Sequence, residues 1–379
     1  MEIKLPPYFK YTVILLGLTL LILGLRTFKP ILMPLAFGLL FALLLLPLTR
    51  DLESKLRFPR PLAILSGITL VVVVLGLVAW FVSMQLVSLT SELDTIGQNV
   101  EGLITRGQDF MYNRFGIAAP NKSEIIQNAI GNIQDLSATF LSSTISMTTG
   151  AITVLTLVPI FVFCLLYYRD HLEQFLFKFV TKDRRGGVIH TMTDIQHVVH
   201  SYISGLMIVI VVVALLNTAG LLILGVKYAI FFGIFASILT IIPYIGILIG
   251  ASLPALFTLA TTGNLLDAVL VVLVFMFVQF LEGNFITPFV VGSKVSINPF
   301  AAIVALLIGG EIWGAAGMVL SIPVIAMMKV IFDVYPPLQP FGYLLADIED
   351  LHPKKKGGIS TWLSELVNGL GRGKKDIDR

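Results

Sequence analysis

Residues 203–225 read ISGLMIVIVVVALLNTAGLLILG, an uncharged apolar run. It is long enough to cross a bilayer as one helix: a hydrocarbon core roughly 30 Å thick takes about 20 apolar residues, at a helical rise of about 1.5 Å each. Comparable runs lie near 10–26, 30–48, 61–87, 147–168, 228–261, 265–287 and 302–334, so about eight spans are expected. The last three are rich in Gly and Pro. Irregular backbone inside lipid must be buried against protein or line a watery cavity, so some of these C-terminal spans are expected to be broken or re-entrant. Composition agrees: 56% of the 379 residues are hydrophobic, 13% are charged, and mean hydropathy is +0.91. Ordinary soluble domains carry roughly 25% charged residues, and a water-facing surface this apolar would aggregate. The fold class expected is an all-α integral membrane protein.

The distribution of Lys and Arg orients the chain. With a cytoplasmic N-terminus and alternating spans, nineteen basic residues fall inside and seven outside. Both termini are therefore expected in the cytoplasm, with the chain multi-pass in a bacterial inner membrane. The first apolar run, Tyr11 to Leu25, is followed by Arg26-Thr27-Phe28-Lys29 rather than a small-x-small cleavage pattern, so it reads as a retained span. Four parts are expected: a three-span segment at 1–87, a polar helical extracytoplasmic insert at 88–146, a transport segment with broken helices at 147–334, and a cytoplasmic tail at 335–379. The insert carries Leu89, Leu93, Ile96, Val100, Leu103 and Ile104 at helical spacing. The basic stretch 169–202 suits an anionic inner leaflet, although a topology signal accounts for it equally.

Several chemistries are excluded. Cys164 is the sole cysteine, which rules out an internal disulfide framework and a Cys-rich metal site. There is no P-loop, no G-x-S-x-G elbow and no HExxH, so no enzyme and no cofactor is expected. His190, His197 and His200 share a helix face but complete no metal motif; surface histidines are the plainer reading. Basic residues sit at span ends, where topology explains them without nucleic acid.

Ionisable groups inside spans are the strongest functional pointers, since each costs roughly 3 kcal/mol to insert. Glu282 lies in Gln279-Phe280-Leu281-Glu282-Gly283-Asn284-Phe285-Ile286-Thr287-Pro288, where a long apolar helix meets polar groups, a Gly and a Pro. A helix break exposes backbone groups able to hold a cation or polar solute. A carboxyl group there can exchange a proton for a cation, because burial favours its neutral form and a bound cation its ionised form. Equally, Glu282 could satisfy backbone groups at a kink or meet Lys294. Gln279, Asn284 and Thr287 are the candidate polar ligands beside it. Glu311 lies either in a site or near the outer interface, and Lys329 with Asp333 forms an i,i+4 pair.

The breaks themselves form a pattern. Ile242-Pro243-Tyr244-Ile245-Gly246 with Pro254 is loosely echoed by Thr287-Pro288-Phe289-Val290-Val291-Gly292 with Pro299. Two interrupted segments lining one cavity, or a coincidence of prolines, both fit. Gly283 adds flexibility beside Glu282. Gly309, Gly310, Gly314 and Gly317 precede Pro323, and they suit either close helix packing, including a homo-oligomer, or a hinge.

These residues resemble the bacterial autoinducer-2 exporter family of predicted permeases. The likeness rests on Ile242-Pro243-Tyr244-Ile245-Gly246 with Pro254, on Glu282-Gly283-Asn284 with Ile286, Pro288 and Gly292, and on Pro299, Gly309-Gly310, Gly314, Gly317 and Ile322-Pro323. Pro30, Pro34 and Leu46-Pro47-Leu48 also fit. The chain departs from the family pattern at Glu311 and at Ser204-Gly205-Leu206-Met207, which leaves the substrate open. The resemblance implies about eight spans and efflux, either of a quorum-sensing signal or as a sodium (lithium)/proton antiporter. The expected activity is secondary-active export of a small organic solute, with Glu282 as the exchanging group. Antiport, a passive channel and a non-transporting envelope scaffold are the alternatives. Expected partners are the lipid bilayer and a small-molecule solute, a monovalent cation or a proton.

Overall fold

The computed structural model describes residues 7–90, 154–182, 185–242, 245–290 and 297–347, with Gly102, Thr105, Tyr112 and Asn113. The expected insert at 88–146 and the tail beyond 347 therefore lie almost wholly outside the described residues, as do Pro243, Gly292 and Lys294. Among the described residues the regular elements are helical, apart from an isolated bridge between Ile297 and Ala346.

Three helices come first: α1 (Pro7–Thr27), α2 (Lys29–Lys55) and α3 (Arg60–Thr90). A fourth, α4 (Val154–Tyr167), bends by 63° into α5 (Arg169–Phe177). Then follow α6 (Arg185–Ile223), α7 (Ala229–Leu239), α8 (Ile245–Thr262) and α9 (Leu265–Leu281). One π-helical turn (Glu282–Ile286) joins α9 to the short α10 (Thr287–Val290). The chain continues through α11 (Pro299–Trp313), α12 (Ala315–Val334), a 3-10 turn (Pro336–Leu338) and α13 (Gln339–Leu345). Among the described residues, five stretches are long and apolar enough to cross a membrane: Lys29–Lys55, Arg60–Gln85, Arg185–Ile223, Leu265–Val290 and Ala315–Val334. Counting the bent α4–α5 pair as one span makes six, and four shorter apolar helices accompany them.

Two expected spans divide. The run at 228–261 is two helices, α7 and α8, which pack antiparallel: a Cβ on Gly246 would meet Leu239 and one on Gly250 would meet Ala236. The run at 302–334 is likewise a hairpin, turning at Gly314, whose φ of 68° suits glycine. Gly309 faces Gly317 across it, and Ser321 Oγ donates to Ala305 O at 2.9 Å. In lipid, burying apolar groups against one another gains little, so helices associate by close van der Waals contact, which small residues permit.

The long helix α6 is the spine. It packs against α2, α7, α9 and α12. Its C-terminal half meets Phe231, Phe232, Val271 and Phe275 in the largest buried cluster among the described residues. A second cluster joins α2, α3 and α4 through Leu45, Ile64, Val162 and Leu166. Large apolar side chains elsewhere, such as Leu15, Leu20, Val73 and Leu77, stand exposed, as lipid-facing surface requires.

Polar ties close the ends. Arg169 meets Glu53 at 2.5 Å and Arg60 meets Asp170 at 2.7 Å, binding α2, α3 and α5 together. Arg26 at the end of α1 pairs with Glu311 on α11, and Trp313 Nε1 donates to Leu25 O at 2.9 Å. Asn298 caps α11 by accepting from Ala301 N at 2.8 Å, while its Nδ2 donates to Leu344 O at 2.7 Å. Asn298→Ala removes a cap and leaves the Leu344 carbonyl without that donor. We expect a loss of about 1–2 kcal/mol, read as a lower thermal midpoint in detergent with secondary structure unchanged.

Candidate functional site

Helix α9 starts with a clear cap: Asn264 Oδ1 accepts from Leu266 N at 3.1 Å. It then runs as an apolar rod to Leu281. The ladder opens where Pro288 approaches, because proline brings no N–H and its ring clashes with the carbonyl four residues earlier, that of Asn284. The chain answers with the π turn at Glu282–Ile286, in which Thr287 N bonds to Glu282 O.

That turn brings the polar side chains together. In a regular α-helix, residues five apart lie about 140° apart around the axis. The wider i→i+5 turn carries Thr287 back over Glu282 instead. Thr287 Oγ1 donates to one carboxylate oxygen of Glu282, and Gln279 Nε2 donates to the other at 2.6 Å. All three side chains are half-buried, inside the Leu265–Val290 span. Asn284 does not join them; it is exposed, and its Nδ2 bonds to Phe280 O at 2.9 Å. Such bulges recur at functional sites in other helices.

Gln279 also lines a small cavity between α6, α7, α8 and α9. Its volume is about 10 Å³, and Asn217, Thr240, Gly246 and Phe275 are among its walls. Asn217 is 3% exposed, and among the described residues its Oδ1 has no hydrogen-bond partner. Sequence reasoning passed over this residue. The available signal was a carboxamide alone in the apolar run 203–225.

The break residues play separate parts. Gly246 sits where α8 begins, and a Cβ there would lie 1.9 Å from Leu239 O. Pro254 is buried within α8, and Thr258 Oγ1 donates to its carbonyl at 2.8 Å. Gly283 has open space around it, and Pro288 is exposed. Pro299 opens α11, and Pro323 is buried within α12. Gly309, Gly310 and Gly317 hold α11 against α12, with Gly314 as the turn between them. Lys329 meets Asp333 at 2.9 Å, and His190 meets Asp194 at 2.6 Å.

A larger cavity, about 580 Å³, lies between α1, α11 and α12. Ser321 is its polar wall residue, and that hydroxyl is occupied by the Gly317 and Ala305 carbonyls. It shares no lining residue with the Glu282 cluster.

The family model for AI-2E family transporters matches residues 12–337. The Bacillus subtilis protein YrrI is 27% identical over 321 residues, covering 80% of this chain and 86% of YrrI. The Escherichia coli AI-2 transport protein TqsA is 24% identical over 344 residues, covering 89% of this chain and 95% of TqsA. The Bacillus subtilis protein YueF is 26% identical over 300 residues, with 76% and 79% covered. A polytopic helical chain that matches the family from its first span to the end of α12 is a membrane transporter, and it belongs to the AI-2E transporter family.

Proposed function

We propose that this protein is a secondary transporter in which Glu282 carries the proton, or the cation that replaces it, while a small solute moves outward. The observation that carries this reading is the Glu282 carboxylate well inside a 26-residue apolar span, whose other acid, Asp267, sits in the first turn; Glu282 is held by two side-chain donors on a π turn. A carboxyl group is costly to place in such a span, which makes it a functional pointer, and it is the group there able to take up and release a proton. A solute of the kind TqsA is named for, the quorum-sensing signal AI-2, is the first candidate cargo. Sodium (lithium)/proton exchange is the second, and it would need only the Glu282 carboxylate and the polar side chains beside it. In both versions the antiparallel pairs α7–α8 and α11–α12 move against the α6 spine, in a bacterial inner membrane with both termini cytoplasmic.

Flux into proteoliposomes under imposed pH gradients tests the reading, with the signal molecule and sodium compared in parallel. A pH gradient is expected to drive uphill movement of one of them. Equal flux with the gradient present, absent and reversed would mean a passive channel.

A further inference from the structure

Asn217 presents a problem of chemistry. Its side-chain oxygen is buried, and no donor among the described residues reaches it. A buried acceptor normally has a partner, either protein or ordered water. The cavity it lines is about 10 Å³, close to the smallest space that admits one water molecule. The other polar side chains on its wall are Thr240 and Gln279. Thr240 gives its hydroxyl hydrogen to Ser237 O at 2.6 Å, and Gln279 gives an amide hydrogen to Glu282 at 2.6 Å. Each therefore retains an oxygen able to accept. A guest here must supply hydrogens or positive charge. Among the described residues no carboxylate lines the cavity to compensate a cation, so a neutral donor is favoured.

We propose that this cavity holds one water molecule, which donates to Asn217 Oδ1 and to the Gln279 side-chain oxygen and so makes Asn217 a positioning residue for the proton on Glu282. The inference rests on the reading of Glu282 as the proton carrier. While the carboxylate is ionised, the water holds the Gln279 amide with its nitrogen toward Glu282. Once Glu282 is protonated it has a hydrogen to give, and the amide oxygen becomes the better partner. Turning the amide over sends its nitrogen into the cavity, where the water accepts from it and still donates to Asn217 Oδ1. Cavity hydration and the protonation of Glu282 are thereby linked.

The charged surroundings are sparse. The elements packed against the π turn are α6, α9 and α10. Their titratable side chains are Arg185, His190, Asp194, His197, His200 and Tyr202 on α6 and Asp267 on α9; α7 and α8 carry none. Among the described residues none of these forms an ion pair with Glu282.

The test is the pH profile of flux in proteoliposomes for wild type, Asn217→Leu, Asn217→Ser and Glu282→Gln. Asn217→Leu removes the acceptor at similar volume. It is expected to move the midpoint up by about one pH unit, since ionised Glu282 loses an oriented donor. Asn217→Ser keeps a hydroxyl and room for water, and is expected to stay at the wild-type midpoint. Should Asn217→Leu fail to accumulate, Asn217→Ala carries the same expectation. A wild-type midpoint in the Leu or Ala variant, with pH dependence lost in Glu282→Gln, overturns this proposal and leaves the Glu282 reading standing. An unchanged profile in Glu282→Gln overturns both. Sodium at fixed ionic strength that protects wild type from heat, but not Asn217→Leu, means a cation occupies the cavity and the water assignment is wrong.

Discussion

Glu282→Gln is expected to lower gradient-driven transport by on the order of 100-fold while leaving the protein folded and inserted. Glutamine has the same shape, and its carbonyl can still accept from Gln279 or Thr287, so packing in the π turn survives. What it lacks is a proton to exchange. Glu282→Asp should keep partial activity, because a shorter arm retains the chemistry but reaches one of its two partners less well. The measurement is initial uphill flux at matched protein content, with expression and detergent monodispersity as controls. Wild-type flux in Glu282→Gln would remove the carboxylate from the mechanism. A parallel loss in folding yield would reduce it to a structural group.

The second large effect is expected at Gly246. An added Cβ would lie 1.9 Å from Leu239 O and 2.3 Å from its carbonyl carbon, and both are backbone atoms that no rotamer change can move. Gly246→Ala must therefore separate α7 from α8, and we expect it to cost about 3 kcal/mol. The readout is a sharply lower thermal midpoint and easier unfolding in SDS. Gly283→Ala supplies the contrast. Nothing lies within 4 Å of a Cβ there, so alanine should be neutral or stabilise by about 0.5–1 kcal/mol through its better helix propensity. If Gly283→Ala instead slows transport without changing stability, the π turn must flex during the cycle.

Much of this was legible in the sequence, for reasons that differ by residue. The membrane class follows from length and apolarity alone. Glu282 was legible because a carboxylate inside an apolar run is costly, and Gln279 and Thr287 because they flank it near a proline. Asn284 lies within the same stretch, but its direction depends on the phase of the π turn, which spacing does not encode. The two hairpins were hidden because hydropathy averages over a window and does not register reversal of direction. Only the steric contacts of Gly246 and the left-handed backbone at Gly314 reveal where the chain doubles back. Asn217 was hidden for a third reason. One amide in a long apolar helix acquires meaning only when its neighbours from three other helices are known.

The tie between Arg26 and Glu311 has a consequence for biogenesis. Its partners are 285 residues apart, so at roughly 5–20 residues per second α11 leaves the ribosome about 15–60 s after the end of α1. Throughout that interval the newly inserted first helix holds its place by its own lipid solubility and slight contact with α2. The bond that finally moors it is a late stitch in assembly, and nascent chains stalled before residue 311 should leave that helix free to wander in the bilayer.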